Sequence, residues 1–129
     1  MLRFLAGIFV ILHGLVHLWL VTLSLRLVEF KPDMGWTGES WLLSGFVGSS
    51  PLRIVASAGF ILATLLYLVS GVGVLTQADW TRTLLLVSAA FSSLLLLIFW
   101  DGNPEMIVQK GLIGLLINIA VVVVVLMQR

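Results

Sequence analysis

Long apolar runs without any charged residue alternate with short polar segments along this chain. The four longest runs hold 22, 25, 18 and 18 residues, and they cover residues 4–25, 54–78, 83–100 and 111–128. A helix that spans a bilayer needs about 20 mostly apolar residues, within a range of about 17–25. The pattern therefore predicts four membrane-spanning helices, at about residues 4–26, 51–77, 80–100 and 104–128.

The first loop, residues 27–50, is the long one. Its charge-free part runs through residues 40–52, and these 13 residues are too few to span. We expect an interfacial or re-entrant segment there, with Trp36 and Trp41 as interface anchors. The other two loops are short, which favours antiparallel neighbours. The predicted fold class is an all-α integral membrane protein, a four-transmembrane-helix bundle forming a single domain over residues 1–129.

Capping residues and prolines predict where three of the helices begin. Ser50-Pro51 and Asn103-Pro104 each place a capping side chain before a proline, whose missing N–H costs nothing in the first helical turn. These pairs predict the starts of helices 2 and 4. Asp79 is the predicted cap of helix 3.

Each predicted helix has one face of small or polar residues. Lipid tails are as apolar as leucine, so helices in a membrane associate through close approach at small residues and through hydrogen bonds. We therefore expect these faces to meet at the bundle centre. At 100° per residue the faces contain Ala6, Gly7, Val10, His13, Gly14, His17, Val21 and Ser24; Ala56, Gly59, Ala63, Tyr67 and Ser70; Ser88, Ala89, Ser92 and Ser93; and Gly111, Gly114 and Asn118.

Composition supports lipid as the surroundings and excludes several classes of function. Hydrophobic residues make up 60% of the chain and charged residues 10%, whereas about a quarter of an average soluble domain is charged. The net charge of +1 gives no reason to expect a nucleic-acid partner. The absence of cysteine excludes disulfides, a thiol nucleophile and a thiolate metal site.

The charges beside the helices give the expected orientation. Four spans place both termini on one side of the membrane. That side carries three Lys or Arg residues and the loop side carries four, so the count of basic residues does not decide the orientation. The loop side also carries five acids. We expect cytoplasmic termini in the inner (cytoplasmic) membrane of a prokaryote.

His13 and His17 are the only histidines, and both lie inside the first apolar run, in ILHGLVHLWL. Their spacing of four residues puts both rings on one helical face. At a rise of 1.5 Å per residue, His13, Asn118 and either Ser92 or Ser93 lie about halfway along their helices. The sequence thus predicts one polar layer near the bilayer midplane.

Two interpretations of this layer remain open. In the first, both imidazoles are neutral and hydrogen-bond to hydroxyls or to the Asn118 amide, which holds the helices together. In the second, an ionisable residue within the membrane indicates a site. The candidate cofactor-binding residues are then His13, His17, Asn118 and Ser92, and the candidate ligands are a quinone, a haem or a chlorin pigment.

Metal binding and catalysis receive no support from the residue pattern. Two histidines supply only two ligands, and no carboxylate lies inside any predicted helix, so we expect no metal site. The serines of helix 3 have no base arranged near them, so we assign no catalytic residue and expect no enzyme. Since helix 1 holds both histidines, only a dimer could ligate a haem from both sides.

Short stretches of the chain resemble known prokaryotic membrane proteins. The opening LRFLAGIFVILHGLVHLWL looks like the first helix of DoxX-like proteins. HGLVHL at 13–18, FWD at 99–101 and KGLIGLLIN at 110–118 are similar to a group of uncharacterised prokaryotic membrane proteins. The resemblance implies a four-helix plan and an accessory role near electron transfer, beside membrane oxidoreductases and quinones. It carries over no catalytic residue.

Three functional hypotheses follow in order. The first is a non-enzymatic accessory or assembly subunit of a larger bacterial membrane complex, with other membrane subunits or a second copy as partners and with no cofactor. The second is a module that binds a quinone, haem or pigment through His13 and His17. The third is a small oligomeric transporter or channel, ranked last because no charged residue lines a helix and four spans are few for a transporter.

Overall fold

Four α-helices form most of the chain in its computed structural model, which describes residues 1–127. The predicted end of helix 4 at residue 128 and the terminal charge of Arg129 lie outside the described residues. A 3₁₀ turn at Pro32–Met34 precedes the second helix, and a π-helical turn at Val108–Leu112 leads into the fourth. The helices are α1, Leu2–Ser24; α2, Ser49–Thr76; α3, Thr81–Ile98; and α4, Ile113–Met127. With the π turn added to α4, all four are long and apolar enough to cross a membrane.

The helices pack in chain order, α1 along α2, α2 against α3 and α3 against α4. Two buried apolar clusters fill the interior, together with buried polar side chains from all four helices. The cluster near the first loop contains Leu20, Val21, Leu23, Trp36, Leu52, Ala56, Phe60, Ala63, Leu95, Leu96 and Phe99. The cluster near the chain ends contains Val10, Tyr67, Leu85 and Val125.

Glycines bring α1 and α2 close together, as the small faces predicted. A β-carbon on Gly14 would lie 2.6 Å from the Tyr67 Cβ, and one on Gly71 would lie 3.0 Å from the Gly7 carbonyl oxygen. Both distances are below van der Waals contact, so these backbones can approach only because the side chains are absent. On α1, Gly7 and Gly14 are buried together with both histidines.

The first loop folds back onto one end of the bundle. Trp36 is 5% exposed, and its ring packs edge-on against Phe99 with centroids 5.7 Å apart. The expectation that Trp36 is an interface anchor is therefore wrong, because the loop carries this ring into the protein core. Trp41 remains 60% exposed and donates its indole N–H to the Leu97 carbonyl oxygen at 2.7 Å. The segment 40–52 divides into turns and the first residues of α2.

The helix ends differ from the predicted ones in three places. Ser50 does not cap α2, because the helix already begins at Ser49 and its N-cap residue is Gly48, without a side-chain cap. The N-terminus of α3 has no side-chain cap in the described chain, so Asp79 does not perform the predicted role.

Asn103 does accept a hydrogen bond from the Glu105 N–H at 2.9 Å. The helix does not follow, however, because Met106 and Gly111 adopt positive φ angles of 57° and 114°. The fourth helix consequently begins as the π turn rather than at residue 104.

A buried ion pair stabilises the junction between α3 and α4. The Lys110 ammonium lies 2.7 Å from an Asp101 carboxylate oxygen, and the two side chains are 7% and 8% exposed. Lys110 also donates to the Asn103 carbonyl oxygen at 3.2 Å. Pairing lets both charges lie at the edge of an apolar helix, where a single charge would cost several kcal/mol.

Candidate functional site

The side chain of Asn118 is the centre of a buried hydrogen-bond network that joins all four helices. Its Oδ1 accepts from the Tyr67 hydroxyl and from the His13 Nε2–H at 2.8 Å. Its Nδ2 donates to the hydroxyl oxygens of Ser92 at 3.0 Å and Ser93 at 3.1 Å. Asn118 has no exposed surface, so these four bonds satisfy a side chain that would otherwise be costly to bury.

His17 extends the network by one helical turn. Its Nδ1 donates to the carbonyl oxygens of His13 at 3.1 Å and Gly14 at 3.3 Å. A neutral imidazole that donates from one nitrogen accepts at the other. Its Nε2 therefore accepts from the Ser92 hydroxyl, 2.6 Å away. The ring needs no charge to satisfy both nitrogens.

The predicted polar layer is present, and its hydrogen-bond network includes two residues, His17 and Tyr67, that the count along the helices does not place in the layer. His13, Asn118, Ser92 and Ser93 meet as expected, and His17 joins them through Ser92. Tyr67 was placed on the small face of helix 2 but not in the layer. It is the only tyrosine of the chain, and a lone phenol on a small-residue face was the available signal, since a buried tyrosine hydroxyl needs a partner.

A second pair of polar side chains lies on α2 and α3, about one helical turn from this network. Ser70 and Ser88 have their hydroxyl oxygens 3.0 Å apart, and Ser88 in turn donates to the Leu84 carbonyl oxygen at 2.7 Å. Ser70 is therefore the donor to Ser88. Both residues have no exposed surface, and the Ser70–Ser88 bond joins α2 to α3.

Two grooves lie along the seam between α1 and α4. Each of these helices packs mainly against its neighbour in the chain, α2 or α3, rather than against the other. The groove on the loop side has a volume of about 290 Å³, and His13 and His17 form part of its wall beside Val16, Gly114 and Ile117. The groove on the side of the chain ends has a volume of about 270 Å³ and is also lined by Ile117. Apart from the histidines and one glutamine, the walls are apolar.

The arrangement limits what the network can hold. Within residues 1–127, no group of three or more histidine or acidic side chains could bind a metal ion. Both Nε2 atoms of the histidines already have partners, in Asn118 and Ser92. A haem or chlorin ligated through Nε2 would have to displace one of those side chains. A ligand lying in the groove would leave the network intact.

Comparisons with known proteins give no further assignment. No protein-family model matches the chain, and neither the curated proteins nor the solved structures contain a match. The likeness to DoxX-like proteins stays a prediction from short stretches of sequence.

Proposed function

We propose that this chain is a multi-pass protein of the prokaryotic inner membrane, with four crossings, antiparallel neighbours and cytoplasmic termini. The apolar length of its helices supports this proposal. Large hydrophobic side chains such as Phe4, Leu62 and Leu116 are about half exposed on the outer surface. A water-soluble protein does not expose so extensive an apolar surface.

We propose further that the protein acts by binding rather than catalysis, as a module that holds a membrane-soluble amphiphile between α1 and α4. One observation carries this function: the only two histidines form part of the wall of the loop-side groove. A binding pocket is typically an apolar cavity with a few polar groups that orient the ligand. The two grooves share Ile117, and their combined volume lies within the usual range of small-molecule sites.

Filling the groove tests this function. The protein in lipid nanodiscs is titrated with 2-decylhydroquinone, and binding is followed by calorimetry. Val16→Phe adds a ring at a groove position that is 63% exposed, and Val55→Phe is the matched control at a 58% exposed position outside the groove. We expect Val16→Phe to weaken binding at least tenfold and Val55→Phe to leave it unchanged. Equal binding by all three proteins would contradict the function.

A second function, an accessory or assembly subunit, is favoured by the exposure of α4. In the most apolar stretch of this helix, only 11% of the residues are buried, against 33–39% in the corresponding stretches of the other three helices. Asn118 and Val125 are the only buried residues of α4 within the described chain. In a membrane, a transmembrane helix of another subunit could pack on the remaining surface of α4.

Native co-purification tests the accessory role. The protein is isolated from its own membranes in mild detergent, with Leu116→Lys on the exposed surface of α4 and Leu62→Lys on that of α2 as a matched pair. The two side chains are 55% and 46% exposed. A stoichiometric partner lost only in the α4 variant supports the role, and a protein that purifies alone contradicts it.

A further inference from the structure

Three of the four imidazole nitrogens have partners within the described residues, and the fourth is Nδ1 of His13. His17 uses both of its nitrogens, and His13 uses Nε2 to donate to the Asn118 Oδ1. His13 is 5% exposed as a residue. A nitrogen without a partner on so buried a ring requires an explanation, because buried polar atoms are hydrogen-bonded as a rule.

The hydrogen-bond directions fix the character of this nitrogen. The Asn118 Nδ2 donates to two serine oxygens, so its Oδ1 is the atom that faces Tyr67 and His13. His13 must then carry its proton on Nε2. In a neutral ring Nδ1 consequently holds a lone pair and can only accept a hydrogen bond.

This nitrogen is reachable from the groove. Within residues 1–127, the fully enclosed polar side-chain atoms without partners are the hydroxyl oxygens of Thr37 and Thr81, and His13 Nδ1 is not among them. It therefore lies against open space. His13 lines the loop-side groove together with Val16 and Ile117, so the open space next to the ring is that groove.

We propose that the groove selects a neutral amphiphile with a hydroxyl headgroup, and that this hydroxyl donates its hydrogen bond to Nδ1 of His13. This inference rests on the proposed binding function and names its ligand class. A headgroup with only carbonyl or ether oxygens cannot donate, and it would leave Nδ1 without a partner. Among the quinone-type ligands, the groove therefore prefers the reduced form, the quinol, over the quinone.

A matched pair of probes tests the preference in the intact protein. 2-Decylhydroquinone and 2-decyl-1,4-benzoquinone have the same heavy atoms, but only the first can donate a hydrogen bond. In nanodiscs under anaerobic conditions, we expect the hydroquinone to bind about threefold to tenfold more tightly, as one neutral hydrogen bond provides. Equal affinity, or tighter binding of the quinone, overturns the inference.

Nitrogen spectroscopy identifies the atom without a variant that could disturb folding. The chain has only two histidines, so ¹⁵N-labelled histidine gives four ring signals. We expect an unprotonated Nδ1 for His13 in the free protein, and a shift of that signal when hydroquinone is added. A proton on His13 Nδ1, or a shift confined to His17, would falsify the assignment.

The experiments distinguish a failure of the binding function from a failure of the hydroxyl preference at His13. If both probes bind equally and Val16→Phe abolishes both, the groove binds amphiphiles but His13 does not select them. If neither probe binds, the binding function itself is wrong.

The hydroxyl could belong to an aromatic quinol or to an aliphatic lipid alcohol. 4-Decylphenol and 1-dodecanol distinguish these two sources. A shift of the His13 Nδ1 signal by either one supports the hydroxyl preference, and the tighter binder identifies the source. The absence of a shift with both overturns it.

Discussion

Ser92 and Ser93 are adjacent on α3 but contribute differently to the network. Ser92 has no exposed surface, donates to His17 and accepts from Asn118. Ser93 is partly exposed and only accepts from Asn118. Removing the Ser92 hydroxyl leaves both the His17 Nε2 and one Asn118 N–H without a partner, whereas removing that of Ser93 leaves only the other Asn118 N–H without one.

We expect Ser92→Ala to lower the free energy of unfolding by about 1–3 kcal/mol, the cost of leaving buried polar groups unpaired. Ser93→Ala should cost about 0.6 kcal/mol, an average value for a hydrogen bond between membrane helices. Unfolding in mixed micelles with increasing dodecyl sulfate measures both. Equal losses in the two variants would show that Ser92 contributes no more to the network than Ser93 does.

Counting residues along each helix was enough to predict most of the network at the residue scale. His13, Ser92, Ser93 and Asn118 have short side chains, so their polar atoms lie close to the depth of their backbones. Tyr67 starts further along α2, but side chains in a helix point back toward its N-terminus. Its long phenol therefore brings the hydroxyl to Asn118, and a count of backbone positions misses it.

At the scale of the element, the start of the fourth helix depends on the backbone conformation of Gly111 as well as on that of Met106. Gly111 has φ of 114° inside the π turn, a region that side chains other than glycine rarely adopt. A β-carbon there would also lie 2.8 Å from the Leu96 Cδ2. Gly114, three residues later, lies within α4, and its β-carbon would lie 3.3 Å from the flexible Leu96 Cδ1.

Gly111→Ala should therefore lower the free energy of unfolding by about 1–2 kcal/mol, while Gly114→Ala should be neutral or slightly stabilising. Alanine is about 1 kcal/mol better than glycine within a helix, which offsets the tighter contact at residue 114. Thermal unfolding in detergent compares the two variants. A stabilised Gly111→Ala protein would show that the turn can straighten without cost.

The ion pair beside this turn makes a separate prediction. Lys110→Met leaves the Asp101 carboxylate buried without its countercharge, with only the Asn103 N–H still donating to it, and should cost about 3–5 kcal/mol. The double variant Lys110→Met/Asp101→Leu removes both charges and should recover most of the loss. The double-mutant cycle is measured by unfolding in micelles. A double variant as unstable as Lys110→Met alone would contradict a role for charge burial.

The charge-free runs predicted the four helices because in lipid every buried backbone group must be bonded within its own segment. They could not predict the late start of α4. The Asn103-Pro104 pair does form its local turn, but the positive φ of Met106 stops the helix there. Nothing in composition distinguishes a turn that starts a helix from one that delays it.

At the scale of the whole molecule, the four proposed crossings would place residues 2 and 127 on one side of the membrane and the first loop on the other. The chain lacks cysteine, so single cysteines report topology without any background labelling. Leu2, Met127 and Phe46 are 82%, 78% and 89% exposed, and they sample the two chain ends and the loop.

We expect Leu2→Cys and Met127→Cys to react with an impermeant thiol reagent only from the cytoplasmic side, and Phe46→Cys only from the opposite side. Leu62→Cys is the control: this side chain is 46% exposed, and in the proposed topology it would face lipid, where a thiol cannot form the reactive thiolate. Labelling of inverted and right-side-out vesicles measures this. Labelling of Phe46→Cys and Leu2→Cys from the same side would rule out the four-crossing topology.

The seam between α1 and α4 is the whole-molecule feature that the sequence could not supply. Small faces identify the interior side of each helix, but they do not give the order of helices around the bundle or the width of each gap. His13 and Asn118 bridge this gap by one hydrogen bond, and the grooves lie beside it.

The loop that folds over the bundle also gathers most of the indole rings at one end. Trp19, Trp36, Trp41 and Trp100 each donate an N–H to a backbone carbonyl oxygen there. Of the five tryptophans in the chain, only Trp80 lies elsewhere, beside Gly73 between α2 and α3. Intrinsic fluorescence will therefore report almost entirely on this end, and a red shift in emission will record the exposure of its indoles to water.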